Sequence, residues 1–283
     1  MTVIGILTKP QFPDIRPLLD ELLDWLGRRQ KTALIGSSSG EYFHEGAQPT
    51  DKQIAAEADL VLVLGGDGTM LRAARLVEER SVPILGVNLG GLGFLTESTV
   101  EAMYESLEKV FAQEFYLDHR LRLEAHLRHK NGEQEQRTAL NDAVISKGTS
   151  GRMITTSIQV DKQFVTTLRG DGLIIASPTG STAYSMSAGG PILEPSLEAL
   201  ILTPISPHTL THRPLLVPSQ VSLEITLTSH EGGTVTFDGQ IGIHMEHEDT
   251  VTISASPYRT RLIRFPDRTY YDLLRNKLKW GDV

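Results

Sequence analysis

The segment DLVLVLGGDGTMLRAAR, residues 59–75, constrains the fold more than any other stretch of the chain. Leu60 to Leu64 is a continuous apolar run, as a strand buried on both faces requires. It ends in Gly65-Gly66-Asp67-Gly68-Thr69 and passes directly into a helical pattern predicted over 69–80. A strand covered on both faces and followed by a helix belongs to a parallel sheet. Its glycine-rich end is then the carboxyl edge of that sheet, where ligands bind in open α/β structures.

The same texture surrounds it. Residues 3–7 (VIGIL), 32–36 and 82–88 read as strands, and 15–29, 51–58 and 98–113 as helices. Residues 1–119 are therefore expected to form an α/β N-terminal domain with a parallel sheet. From His119 the pattern changes. Residues 121–147 alternate around Asn131-Gly132, a hairpin turn signal, and 157–170 reads as a second hairpin. Residues 215–240 and 250–265 are also β-rich, so 120–265 is expected to be a mostly antiparallel β C-terminal domain. The tail 266–283, with Tyr270, Leu273, Leu274, Leu278 and Trp280, reads as a short amphipathic helix that packs back on the body.

Composition narrows the chemistry. The chain has 283 residues, a formal charge of −8 and no cysteine. Disulfides, zinc–cysteine sites, iron–sulfur clusters and thiol nucleophiles are excluded together. The acidic balance speaks against nucleic acid as a partner. No apolar run approaches the ~18 residues of a membrane span. The N-terminus MTVIGILTKP lacks the basic segment and long apolar core of a signal peptide. A cytoplasmic protein with no membrane partner is expected.

Four segments carry polar chemistry. The backbone N–H groups of Gly65, Gly66, Gly68 and Thr69 suit phosphate oxygens at a helix N-terminus. Asp67 among them would repel a bare phosphate; by itself it fits a base, a metal contact or a helix cap. In GVNLGGLGFL, 86–95, Phe94 fits either a core position or a surface for stacking a base. Asn141-Asp142 fits a turn, or a pair that reads an adenine edge and a ribose hydroxyl. In RGDGLIIASPTGSTAYSMSAGGP, 169–191, a short strand leads into clustered hydroxyls and glycines at a helix start, an array of neutral donors for a phosphate or ribose.

Other matches fail on context. There is no P-loop and no G-x-G-x-x-G fingerprint. Gly36-Ser37-Ser38-Ser39-Gly40 fits G-x-S-x-G literally, but a polar loop follows it where a nucleophile elbow needs a helix. His208 reads as structural. The cluster His244, Glu246, His247, Glu248 and Asp249 lacks metal-ligand spacing and reads as a solvated hairpin end.

Taken in order, GGDGTMLRAAR, VNLGGLGFL, LND, GDGLIIASPTGSTAYSMSAGGPIL and PHTLTHRPLLVP resemble the bacterial NAD kinase family along most of the chain. The Gly-Gly-Asp-Gly-Thr element is shared with diacylglycerol, sphingosine and phosphofructokinase-type kinases. The lipid kinases usually continue into Asn-Glu-Val, whereas this chain continues Met70-Leu71-Arg72-Ala73-Ala74-Arg75.

The resemblance implies an α/β domain followed by a β domain. The implied reaction moves the γ-phosphoryl group of ATP to the 2′-hydroxyl of the adenosine ribose of NAD. By matched position, Asp67 is the general base and Gly68 lies against ribose and phosphates. Phe94 and Tyr184 flank the adenine, Asn141 binds adenine, Asp142 the ribose, and Asp171 the nicotinamide side. Thr182, Ala183, Tyr184, Ser185, Met186 and Ser187 line the adenosine pocket. Arg152, Arg169 and Gln240 match positions near NAD, and Arg72 matches one on the ATP phosphates. No metal-binding residues are expected; a divalent ion, Mg²⁺, arrives with ATP. The family also implies a homodimer or homotetramer. Two departures stand out: Asp142 replaces the commoner Glu, and Ser177 the commoner Thr.

Overall fold

The computed structural model describes residues 1–9, 15–36, 51–91, 93–148 and 151–280. Ser37 to Gly40, which complete the G-x-S-x-G match, lie outside the described residues. The chain divides into two compact units, Met1–His119 with Thr260–Val283, and Arg120–Arg259.

The first unit is built on a seven-stranded, mostly parallel sheet. Its strands run Thr32–Ile35, Val3–Thr8, Leu60–Leu64, Ile84–Asn88, Thr260–Arg264 and Tyr116–Arg120, with the short strand Ser98–Thr99 paired to Ile84–Asn88. Val3–Thr8, Leu60–Leu64 and Ile84–Asn88 pair in parallel, with Leu62 beside both Ile6 and Leu85. All five residues of Leu60–Leu64 are buried, as their unbroken apolar run requires. The helices Ile15–Arg28 and Met103–Phe111 cover the sheet through Leu19, Leu22, Leu26, Leu107 and Val110. Each such leucine, once fully buried, contributes about 1.5–3 kcal/mol.

Several boundaries differ from expectation, among them the helix predicted over 69–80, which runs Asp67–Leu76. The helix predicted over 98–113 begins only at Met103, because Ser98–Thr99 extends the sheet instead. The strand Thr260–Arg264, read as part of the β domain, pairs in parallel with Ile84–Asn88 of the first unit. The helix Tyr270–Leu278 follows it, started by a capping box in which Thr269 and Asp272 satisfy each other's amides. Its Leu273 and Leu274 are buried.

The second unit is a sandwich of two six-stranded antiparallel sheets. One runs Gln163–Gly170, Ile154–Val160, Leu223–Leu227, Thr250–Ala255, Leu123–Arg128 and Gln134–Ala139. The other runs Leu215–Pro218, Ala199–Ile205, Gly172–Ala176, Asp142–Lys147, Gly233–Phe237 and Ile241–Met245. Inward residues of both, including Leu123, Ile145, Ile175, Ile225, Val235 and Val251, share one core. The hairpin of Ile154–Val160 and Gln163–Gly170 turns on Asp161 and Lys162, both in the left-handed region at φ 48° and 65°. Asp249 departs from the solvated hairpin end read from sequence. It is buried and accepts from His129 Nδ1, from the N–H of Lys130 and from the N–H of Glu246.

Candidate functional site

The first group of site residues sits at the end of Leu60–Leu64. The helix Asp67–Leu76 starts there, with Gly66 as its N-cap. Asp67 is not the cap. Its Oδ2 accepts the N–H of Phe94 at 2.9 Å and its Oδ1 the N–H of Leu95 at 3.0 Å. The two glycine-rich strand ends are thereby joined through one carboxylate. Each oxygen keeps a free lone-pair direction for a further donor. Gly68 is exposed, and a Cβ there or at Gly66 would meet open space. Phe94 is half-buried. Arg72 is paired with Asp51 at 2.8 Å. Both border a cavity of about 790 Å³ that also touches Lys52, Arg75 and Arg80.

The second group surrounds a cavity of about 350 Å³ in the sandwich, lined by Asn141, Asp142, Val144, Ser146, Ala183, Tyr184, Thr236, Asp238 and Gly239. The turn that presents Asn141 and Asp142 is gripped from both sides. Asp238 accepts the N–H groups of Leu140 (3.0 Å), Asn141 (2.7 Å) and Asp142 (3.3 Å). Ser177 donates its hydroxyl to the carbonyl of Leu140 at 2.5 Å and its N–H to that of Asn141 at 2.9 Å. Asp238 adopts φ 52°, a left-handed turn that aspartate tolerates. Sequence reasoning missed it. The available signal was its Asp-Gly turn after a strand, two residues before Gln240.

Asp142 is only 4% exposed. Burial, and then the negative charge of Asp238, push its carboxyl up to about 7. Burial also raises Asp238, but three amides and the Arg122 guanidinium oppose that shift. Of the pair, Asp142 is the one whose ionised form is disfavoured more, because the three amides and the guanidinium hold the charge of Asp238. A protonated carboxyl both donates and accepts.

The hydroxyl run behaves differently from the donor array read in the sequence. It forms a 3-10 turn, Thr179–Thr182, and a four-residue helix, Tyr184–Ser187. Ser177, Thr179, Ser181 and Ser185 are buried. Ser181 donates to the carbonyl of Pro178 at 2.6 Å and accepts the N–H of Leu193 at 3.0 Å. Ser185 shares a hydrogen bond with Thr203 at 2.8 Å. The Ser177, Ser181 and Ser185 hydroxyls are taken up by backbone groups and by Thr203. Ala183 and Tyr184 face the cavity, and Tyr184 is 47% exposed. Thr182, Met186, Ser187 and Gln240 are near the cavity in sequence but do not line it. Asp171 is paired with Lys147 at 2.7 Å, Arg152 approaches Glu231 at 3.8 Å, and Arg169 is exposed on the edge strand Gln163–Gly170.

Fold and site together define a two-unit protein: a parallel α/β unit with a carboxylate at its glycine-rich strand ends, and an antiparallel sandwich holding a carboxyl-lined cavity. Two family profiles match it. The profile described as ATP-NAD kinase N-terminal domain covers residues 4–115, and that described as ATP-NAD kinase C-terminal domain covers 140–265. The chain is 43% identical to an NAD kinase of Geotalea daltonii over 283 residues, covering all of both chains. It is 44% identical to an NAD kinase of Citrifermentans bemidjiense over 289 residues, again covering all of both. Among solved structures it resembles yeast NADH kinase complexed with NADH, with a TM-score of 0.91 and 25% identity over 100% of this chain and 89% of that one. It also resembles an NAD kinase from Archaeoglobus fulgidus in complex with ATP, with a TM-score of 0.77 and 25% identity over 98% and 99% of the two chains. The chain belongs to the NAD kinase family.

Proposed function

We propose that the chain transfers the γ-phosphoryl group of ATP to the 2′-hydroxyl of the adenosine ribose of NAD, giving NADP. The observation that carries this reading is the Asp67 carboxylate, aimed by the amides of Phe94 and Leu95 beside open glycines. Phosphoryl transfer depends on positioning and charge neutralisation more than on covalent help. Asp67 accepts the ribose proton late, as the bond to phosphorus forms. General-base help of this kind is worth ~10²–10⁴-fold. The two amide donors fix the direction of the carboxylate.

Asn141 reads the adenine edge, and Asp142 meets the ribose as a donor as well as an acceptor. Its side chain is one methylene shorter than the commoner Glu, and the grip of Asp238 and Ser177 fixes where that shorter reach begins. Ala183 and Tyr184 form the wall against the base, with Phe94 as a second aromatic face. Thr182, Ser185, Met186 and Ser187 support that wall. Asp171, Arg152, Arg169 and Gln240 serve the remainder of NAD, which for Asp171 requires exchanging its bond to Lys147. Arg72 turns from Asp51 to the ATP phosphates.

Among the described residues no group of three or more His, Cys, Asp or Glu could hold a metal ion. In this reading Mg²⁺ arrives with ATP, held by phosphate oxygens and water. Bound there, it neutralises charge on the phosphate oxygens. No helix among the described residues is long and apolar enough to cross a membrane. Exposed Phe164, Val165, Leu215 and Leu216 on the sandwich's edge strands support assembly as a homodimer or homotetramer, which light scattering reads directly.

The test is an assay of NADP formation from NAD, ATP and Mg²⁺. Asp67→Asn should keep NAD binding and lose turnover by at least ~10-fold. Turnover near that of the unmodified chain would remove the general-base role.

A further inference from the structure

The strand Thr260–Arg264 ends in a residue that no sequence motif singles out. Arg264 is 7% exposed. Its Nη1 donates to Glu97 Oε2 at 2.8 Å and to the carbonyl of Thr96 at 3.2 Å. Its Nη2 donates to the carbonyl of Phe94 at 3.1 Å, and its Nε reaches Asp118 Oδ2 at 3.5 Å. Glu97 is buried as well, and its other oxygen accepts the N–H of Phe265 at 3.0 Å.

Balancing the charge of Glu97 needs only one of these contacts. Two others go to backbone carbonyls in the segment whose amides hold Asp67. Phe94 is held at both ends: its N–H donates to Asp67 and its C=O accepts from Arg264. The next amide along, that of Leu95, completes the hold on Asp67, and the carbonyl of Thr96 returns to Arg264. Gly93 at the start of the segment donates its N–H to Thr96 Oγ1 at 2.8 Å, which closes the turn on itself. The turn is short and internally bonded, so a shift of its carbonyl side carries its amide side along.

We propose that Arg264 is a positioning residue for phosphoryl transfer: by fixing the carbonyls of Phe94 and Thr96 it holds the two amides that aim the Asp67 carboxylate. This rests on the reading of Asp67 as the group that receives the ribose proton. The planar fork of arginine suits the task, because several donors leave one rigid group in different directions. A lysine keeps the charge opposite Glu97 but offers a single nitrogen. A displacement of ~1 Å at a reacting group can cost ~10²-fold in rate.

The experiment is Arg264→Lys in the full chain, assayed for NADP formation with and without Asp67→Asn. The expected result is a kcat at least ~10-fold lower, with the KM for NAD within ~3-fold; the thermal midpoint falls, because buried carbonyls lose donors, while the chain stays folded at the assay temperature. In the Asp67→Asn background the same substitution should cost less than ~3-fold, because the carboxylate it aims is already gone. An equal loss in both backgrounds, a loss in KM rather than kcat, or a normal kcat would each overturn the proposal. Should Arg264→Lys fail to fold, Arg264→Gln combined with Glu97→Gln removes both buried charges together and is read in the same way. An unmodified chain that makes no NADP would instead overturn the proposed function.

Discussion

A Cβ placed on Gly93 would lie 2.0 Å from Oδ1 of Asp67 and 2.7 Å from its Cγ. The missing side chain at Gly93 is what lets the carboxylate reach the amides of Phe94 and Leu95. Gly93→Ala should therefore push Asp67 off those amides. Overpacking of this kind costs ~1–3 kcal/mol, which a domain of ordinary stability survives. We expect a urea melt shifted by that amount and a kcat at least ~10-fold lower, with NAD affinity kept. A Gly93→Ala chain with unchanged kcat would show that Asp67 tolerates another orientation.

Gly180 plays the corresponding part in the sandwich. A Cβ there would stand 2.1 Å from the carbonyl oxygen of Asn141 and 2.5 Å from its carbonyl carbon. Both are backbone atoms, held by Ser177 and by the strand pairing that follows, so they cannot swing aside as a side chain would. Gly180→Ala should displace the Asn141–Asp142 turn. The expected signature is a KM for NAD raised by ~10-fold or more, with the KM for ATP little changed. Parallel rises in both constants would point to general disorder and away from the adenosine cavity.

The contrast between these two glycines shows what the sequence made legible. The parallel sheet could be read because Leu60–Leu64 is apolar at every position and a helix follows it without a loop. The strand ends carrying Asp67 and Phe94 followed from the same pattern. Thr260–Arg264 could be read as a strand but not assigned to a sheet. Its partner Ile84–Asn88 lies far back in the chain, and alternation says nothing about which sheet a strand joins. The hydroxyls between Ser177 and Ser185 were legible as polar groups, but tertiary packing decides whether a hydroxyl faces a ligand or, like Ser185, a neighbouring strand. Asn141, Asp142, Ala183 and Tyr184 do line one cavity. Asp238 was illegible as a partner of Leu140–Asp142 because only the pairing of Gly233–Phe237 with Asp142–Lys147 brings the two turns together.

Ser177 offers a finer test of that turn. It is fully buried, its hydroxyl donates to Leu140 at 2.5 Å, and it accepts the N–H of Gly180 at 3.2 Å. Ser177→Ala leaves a buried carbonyl and a buried amide without this partner, which costs about 1–3 kcal/mol. Denaturant melts should show that loss, accompanied by a raised KM for NAD. Ser177→Thr keeps the hydroxyl and should recover the KM, at a packing cost of ~1–3 kcal/mol for the added methyl. A threonine variant as poor in KM as the alanine one would mean that side-chain volume at this position matters and the hydroxyl does not.

The buried pair in the cavity makes stability depend on pH in a direction opposite to that of an ordinary salt-bridged carboxylate. The Asp142 carboxyl titrates at 3.8 when free and at about 7 in the fold, because burial and the charge of Asp238 disfavour its ionised form. Between these values the folded chain binds more protons than the unfolded one, so stability falls as pH rises across the window. The favourable contribution is complete below 3.8 and lost as pH passes through about 7. Asp238 is also raised by burial and adds to the fall in the same sense. Asp142→Asn keeps a donor and an acceptor at the same place and cannot ionise. Thermal unfolding followed from about pH 5 to about pH 8 should therefore show a smaller drop for Asp142→Asn than for the unmodified chain. The remaining slope belongs to Asp238 and other groups. Equal slopes in the two proteins would mean that Asp142 is already ionised at the acid end, and its role as a neutral donor to the ribose would fall with that result.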